Sequence, residues 1–161
     1  MRHFMRETIS LLKHRQNEHD LPIAALLTNP KTLEILLVAY DTRSSSRHPL
    51  NHSVMNLLNQ LPSLLSADTG DANEDEQYYA NMYDIYVTHE PCAMCCMALV
   101  HSRIRRLIFW KSMETGAKQL GWMKGDEEDP TLNHRYMSFE GIEGALGKDL
   151  EVDLLDAAIC V

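Results

Sequence analysis

Apolar residues recur at helical spacing near the start of the chain (Phe4, Ile9, Leu11, Leu12), which predicts an amphipathic helix over residues 3–16. Leu21 to Leu27 is a continuous apolar run with Pro22 near its start, and the turn pair Asn29-Pro30 follows it. Glu34 to Tyr40 is a second such run, so the two read as a hairpin of largely buried strands. Past the turn-rich Asp41 to Ser46 and the pair His48-Pro49, a helical pattern passes through Val54, Leu57, Leu58 and Leu61. Ser66 to Gln77 is acidic and almost free of apolar residues, the pattern of a solvated surface insertion. Tyr83 to Thr88 alternates and is rich in β formers, which predicts a third strand. Pro91 suits the first position of a helix through Cys92, Cys95, Cys96, Leu99 and Val100. Ile104 to Trp110 predicts a fourth strand, residues 135–142 a fifth, and Leu150 to Ile159 a last short helix. This order, α-β-β-α-β-α-β, describes an α/β sheet with helices on both faces.

At 161 residues the chain has the size of one domain, residues 1–161, with the acidic insertion near 66–77 carried on its surface. No apolar run approaches the ~20 residues of a membrane span, and the first residues lack the apolar core of a secretory signal. The formal net charge of −8 argues against a chain that holds RNA or DNA unaided. Basic groups do occur, Arg103 with Arg105 and Arg106, and Arg43 with Arg47, and solvated edges of a strand and a loop account for them more simply than a nucleic-acid contact.

Three of the 4 cysteines, Cys92, Cys95 and Cys96, crowd together, with Cys160 far away. A bridge within one helical turn would constrain little, and clustered cysteines in a chain with no export signal point to metal and to a reducing compartment, cytosol or nucleus. On a helix, Cys92 and Cys95 point their sulfurs to one side, at a first turn where free N–H groups and the dipole favour thiolates. His52 opens its own helix after a loop, and two helix starts at one sheet edge can converge on an ion. One nitrogen and two sulfur ligands suit tetrahedral Zn²⁺ with a fourth position open. Buried structural cysteines are the competing reading of a lone C-x-x-C. Cys96 points toward the core, and His48 and His89 compete as ligands with poorer spacing. The full pattern, H-x-E followed by P-C-x-x-C, is that of zinc deaminases, whose glutamate shuttles protons without binding the metal. Here Val54 occupies the glutamate position. General acid–base help is worth ~10²–10⁴-fold and an alkyl group offers none of it, so Val54 argues against hydrolysis unless Glu90 stands in.

Two segments carry a closer likeness. Thr88-His89-Glu90-Pro91-Cys92-Ala93-Met94-Cys95 resembles the T-x-E-P-C-x-M-C motif of tRNA adenosine deaminases, in the cytidine deaminase-like superfamily. His48-Pro49-Leu50-Asn51-His52-Ser53-Val54-Met55 resembles the H-P-L-x-H-A-V-M element of one branch, the non-catalytic subunits of the eukaryotic heterodimeric enzymes that make inosine at the wobble position. Met97 to Ile104 and Leu132 to Tyr136 are similar to further signatures of that branch, so the likeness runs from about Pro22 to Phe139. It implies a three-layer αβα cytidine deaminase-like fold with a five-stranded mixed sheet, zinc on His52, Cys92 and Cys95, no catalytic residue at Val54, a catalytic partner subunit with an intact H-x-E, and tRNA reached through the complex. The branch usually carries an additional N-terminal domain that engages tRNA, for which these residues leave no room, and the stretch after residue 140 matches nothing in it.

A subunit that lends shape to a partner is thus the first expectation. The alternative is an active deaminase of nucleosides or nucleobases that works through Glu90 or another acid, and a third is a plain structural zinc protein. The apolar end, Ala157 to Val161, raises a further expectation, that the tail tucks inward and offers the Val161 carboxylate or Cys160 as a fourth metal ligand. A helix end packed on the sheet is the simpler alternative.

Overall fold

Period-two alternation along a five-stranded sheet sorts the apolar side chains into two cores, one against each face. The computed structural model describes residues 1–12, 19–68, 80, 83–114, 116–117 and 134–140. The strands are β1 (Ala24–Asn29), β2 (Glu34–Tyr40), β3 (Asp84–His89), β4 (Arg106–Lys111) and β5 (Met137–Phe139), in the spatial order β2-β1-β3-β4-β5. β1 runs antiparallel to β2 and to β3, whereas β3, β4 and β5 are parallel, so the sheet is mixed. The helices are α1 (Arg2–Leu11), α2 (Arg43–Ser46), α3 (Ser53–Asp68) and α4 (Ala93–His101).

One face presents Leu26, Tyr86, Ile108 and Trp110 to Phe4, Met5 and Ile9 of α1. The opposite face presents Ala25, Leu27, Ile85, Val87, Leu107 and Phe109 to Val54, Leu57 and Leu61 of α3 and to Cys95 and Leu99 of α4. The result is the expected α/β sandwich of three layers. β3 is buried along its whole length, as a central strand covered on both faces must be.

Several boundaries differ from the pattern reading. The turn-rich stretch after β2 contains the short helix α2, because Asp41 accepts the Arg43 N–H and Ser46 N–H bonds back to Thr42 O; Arg47, at φ 52°, then ends the turn in the left-handed region. α4 starts at Ala93 with Cys92 as its N-cap, so Pro91 precedes the helix instead of opening it. α3 continues past Leu61, through Pro62, to Asp68, which makes the start of the acidic stretch helical. Residues 69–77 of that stretch, the predicted helix at 150–159, and Cys160 and Val161 lie outside the described residues. Among the described residues no helix is long and apolar enough to cross a membrane.

The topology sets the site. Ala24, the first residue of β1, pairs with Tyr40, the last of β2, and Ala25 pairs with Val87 near the end of β3. The chain therefore leaves β2 toward α3, and β3 toward α4, at one edge of the sheet.

Candidate metal centre

Both helices begin at residues with metal-ligating side chains. The His52 carbonyl accepts the Asn56 N–H at 2.9 Å and the Cys92 carbonyl accepts the Cys96 N–H at 3.0 Å, so each residue sits at the N-cap of its helix. Neither offers the serine or aspartate oxygen usual at that position, which leaves the free N–H groups and the positive dipole ends facing whatever the side chains bind. Cys95, one turn into α4, completes the set. The donor atoms of His52, Cys92 and Cys95 all lie within 4.8 Å of one another, and His52 Nδ1 is 3.7 Å from Cys92 Sγ. Zinc–nitrogen and zinc–sulfur bonds of about 2.0–2.3 Å in a tetrahedron require ligand–ligand edges of about 3.5–3.8 Å. The spacing fits a tetrahedral ion, and these residues could hold one.

The loop before α3 is fixed from within. The Asn56 amide donates to Tyr40 O at 2.8 Å and to Thr42 Oγ1 at 2.9 Å, fastening the first turn of α3 to the end of β2. Asp41 is buried, lines the cavity beside His52, and accepts the Arg43 Nε–H at 3.0 Å. Pattern reading singles out neither Asp41 nor Asn56. The only trace of them in the chain is a polar residue in a helix's first turn and an acid at a strand end.

Val54 is 2% exposed and packs in the core beside the cavity. The cavity, bounded among others by Asp41, His52, Val54, His89, Glu90, Cys92 and Cys95, has a volume of about 20 Å³. That is room for a water-sized group. Glu90, the candidate substitute acid, also lines it, but its carboxylate is held: Oε2 accepts the Met113 N–H at 3.0 Å. A Cβ at Gly116 would stand 2.1 Å from the Glu90 carboxyl carbon, so this loop can close on Glu90 only with glycine there. Glu90 bonds Met113 and packs against Gly116 beside the start of α4, where the Ala117 N–H also reaches Pro91 O.

The other candidates fall away from the donor set. Cys96 is buried; burial, opposed only by a Tyr136 hydrogen bond, pushes its thiol up to about 12. His48 is exposed and its Nδ1 accepts the Leu50 N–H. His89 is buried in the cavity wall without joining the three converging donors. The basic groups are largely engaged: Arg105 and Arg106 both bond the buried Asp84 carboxylate, and Arg103, at φ 54°, closes α4 in the left-handed region. In the Leu132 to Tyr136 signature, His134 Nε2 lies 2.7 Å from Ile104 O and Tyr136 packs against the α3/α4 core.

Comparison with known proteins agrees with this geometry. Residues 1–111 match the family described as the cytidine and deoxycytidylate deaminase zinc-binding region. The tRNA-specific adenosine deaminase subunit tad3 of Schizosaccharomyces pombe is 36% identical over 125 residues, 76% of this chain and 39% of that protein. A probable inactive tRNA-specific adenosine deaminase-like protein 3 of Danio rerio is 32% identical, over 88% of this chain and 47% of its own length. Subunit TAD3 of Saccharomyces cerevisiae is 34% identical, over 88% and 43%. The chain thus spans less than half the length of these curated relatives. A structure from a study of A-to-I editing by tRNA:A34 deaminases superposes with a TM-score of 0.67 at 22% identity, covering 86% of this chain and 97% of that one. A guanine deaminase from Nitrosomonas europaea gives 0.63 at 19% identity, covering 88% and 78%. At these identities the structural likeness speaks to the fold.

Proposed function

The chain belongs to the cytidine and deoxycytidylate deaminase zinc-binding family, and we propose that within it this chain is the zinc-holding, non-hydrolysing subunit of a heterodimeric tRNA adenosine deaminase that forms inosine at the wobble position. The carrying observation is a converged donor set, His52, Cys92 and Cys95, with a buried valine at the position of the proton-shuttling glutamate. The relatives named as tad3 subunits and as probable inactive proteins support the same reading.

In this account residues 1–161 form one deaminase-like domain. His52, Cys92 and Cys95 hold Zn²⁺, with a fourth position open to the Val161 carboxylate, to Cys160 or to a solvent oxygen. Zinc bound there acts as a cross-link that ties two helix starts together. Val54 can neither take nor deliver a proton, and the small cavity beside it suits a solvent-sized group better than a base. The held carboxylate of Glu90 counts against the alternative of an active deaminase that uses it. The chain contributes shape: a dimer surface, and part of the cleft in which a catalytic subunit with an intact H-x-E receives tRNA. Its acidic balance fits RNA binding through the complex, in the cytoplasm or nucleus.

The test is co-expression with an H-x-E subunit, followed by purification and inosine measurement in tRNA. A stable heterodimer is expected whose partner loses activity when this chain is left out. Conversion by this chain alone, at a rate comparable with that of the complex, would overturn the proposal.

A further inference from the structure

The cavity wall contains a histidine that the three donors do not use. His89 ends β3, and the pleat sets it on the same face as Ile85 and Val87, toward α3 and α4. It is 2% exposed and lines the cavity with His52, Cys92 and Cys95. Its Nδ1 is engaged, 3.1 Å from Thr88 Oγ1, and that oxygen in turn accepts the Ala24 N–H at 3.1 Å. The ring is therefore held from the β1 side. Its Nε2 is buried and has no hydrogen-bond partner among the described residues. Buried polar atoms are satisfied in the great majority of cases, and one left bare is costly.

Three observations meet here: an unpartnered ring nitrogen, a cavity of about 20 Å³, and three donors that leave a tetrahedral ion one position short. A water molecule or one carboxylate oxygen fits that space. Burial, with the Lys111 cation nearby, pushes His89 down to about 4, so at neutral pH the ring brings no charge of its own and presents a single hydrogen-bonding atom.

We propose that His89 Nε2 hydrogen-bonds the oxygen ligand that completes the metal's coordination, which makes His89 the positioning residue of the fourth site. This rests on the reading that His52, Cys92 and Cys95 hold the metal. Val54 stands where hydrolytic relatives of the H-x-E pattern carry the glutamate, and His89 lines the same cavity from the sheet side. The oxygen comes either from solvent or from the terminal carboxylate.

Cobalt(II) substituted into the full chain gives two readouts, the visible ligand-field spectrum and the rate of metal release to a chelator. His89→Ala is expected to shift the bands and to speed release on the order of tenfold, as loss of an outer hydrogen bond to a metal ligand does. His89→Gln, which keeps a polar group of similar reach and guards against a simple packing effect, is expected to restore most of both. In a chain without its last three residues, a persisting His89→Ala effect assigns the oxygen to water, and a vanishing one assigns it to the terminal carboxylate. A full-length His89→Ala protein with unchanged bands and release within twofold of wild type overturns the proposal and leaves the metal reading standing. So does X-ray absorption that finds two imidazoles on the metal. Failure of the wild-type chain to hold cobalt overturns both.

Discussion

Among single residues, Val54 and its neighbours decide what the site can do. Val54 is packed in the α3/α4 core, so this position carries a side chain that stabilises the fold. Val54→Glu is therefore expected to lower stability by about 3 kcal/mol, a Tm loss of roughly 6–12 °C, through burial of a carboxylate. No deaminase activity should appear in the isolated chain; thermal unfolding and an inosine assay check the two parts, and activity would mean that the site is intact apart from its base. Glu90 plays a different part from the one its place in the motif suggests. Its carboxylate is hydrogen-bonded to the loop that covers α4, and Gly116 is the residue that lets the loop close. Gly116→Ala is expected to displace the carboxylate and cost about 1–3 kcal/mol, read in a denaturant titration. A variant as stable as wild type would show that Glu90 has room to move.

At the element scale, the ends of the sheet serve different ends of the problem. The end where β2 and β3 terminate carries His52, Cys92 and Cys95, and the opposite end of β3 carries a charge knot in which Asp84 receives both Arg105 and Arg106. Burial alone would raise the Asp84 carboxyl, but the hydrogen bonds from Arg106 and Arg105 outweigh it and hold it below the ordinary range. A carboxylate held low in the folded chain contributes stability above the ordinary carboxylate range, and that contribution fades as pH falls through it. Asp84→Ala is expected to cost about 3 kcal/mol at neutral pH, near the lower end for a buried ion pair because Arg105 and Arg106 keep 39% and 24% of their side-chain surface. The gap between wild type and variant should narrow toward pH 3; a gap constant across pH would exclude the carboxylate's charge as its source. The knot also shows where pattern reading stops. The order of strands and helices is legible because each buried run has the period of its element, and the donors are legible because Cys92 and Cys95 share a helix face while His52 opens another. Asp84's two guanidiniums, Asn56's grip on β2 and the bare face of His89 depend on which strand ends meet in space, and no spacing along the chain records that. The helix start at Ala93 rather than Pro91 is a smaller case of the same kind, since the cap is decided by where the Cys92 carbonyl points.

At the scale of the whole molecule, one apolar core packs against each face of the sheet, and His52, Cys92 and Cys95 converge where β2 and β3 end. Its formal charge of −8 is unfavourable for gripping a phosphate backbone, and the chain spans less than half the length of the relatives it matches. A structural metal should then govern folding: chelation, or His52→Ala, is expected to lower Tm by ten degrees or so, and zinc should restore it to the chelated wild type only. The most direct test of the central claim joins metal content to turnover in the same preparation. The purified chain is analysed for zinc per molecule and assayed for hydrolytic deamination of tRNA, adenosine, cytidine and guanine. One zinc ion per chain, lost on His52→Ala, and no turnover of any of the four are expected. Turnover by the wild-type chain that disappears when the zinc is removed would contradict the claim.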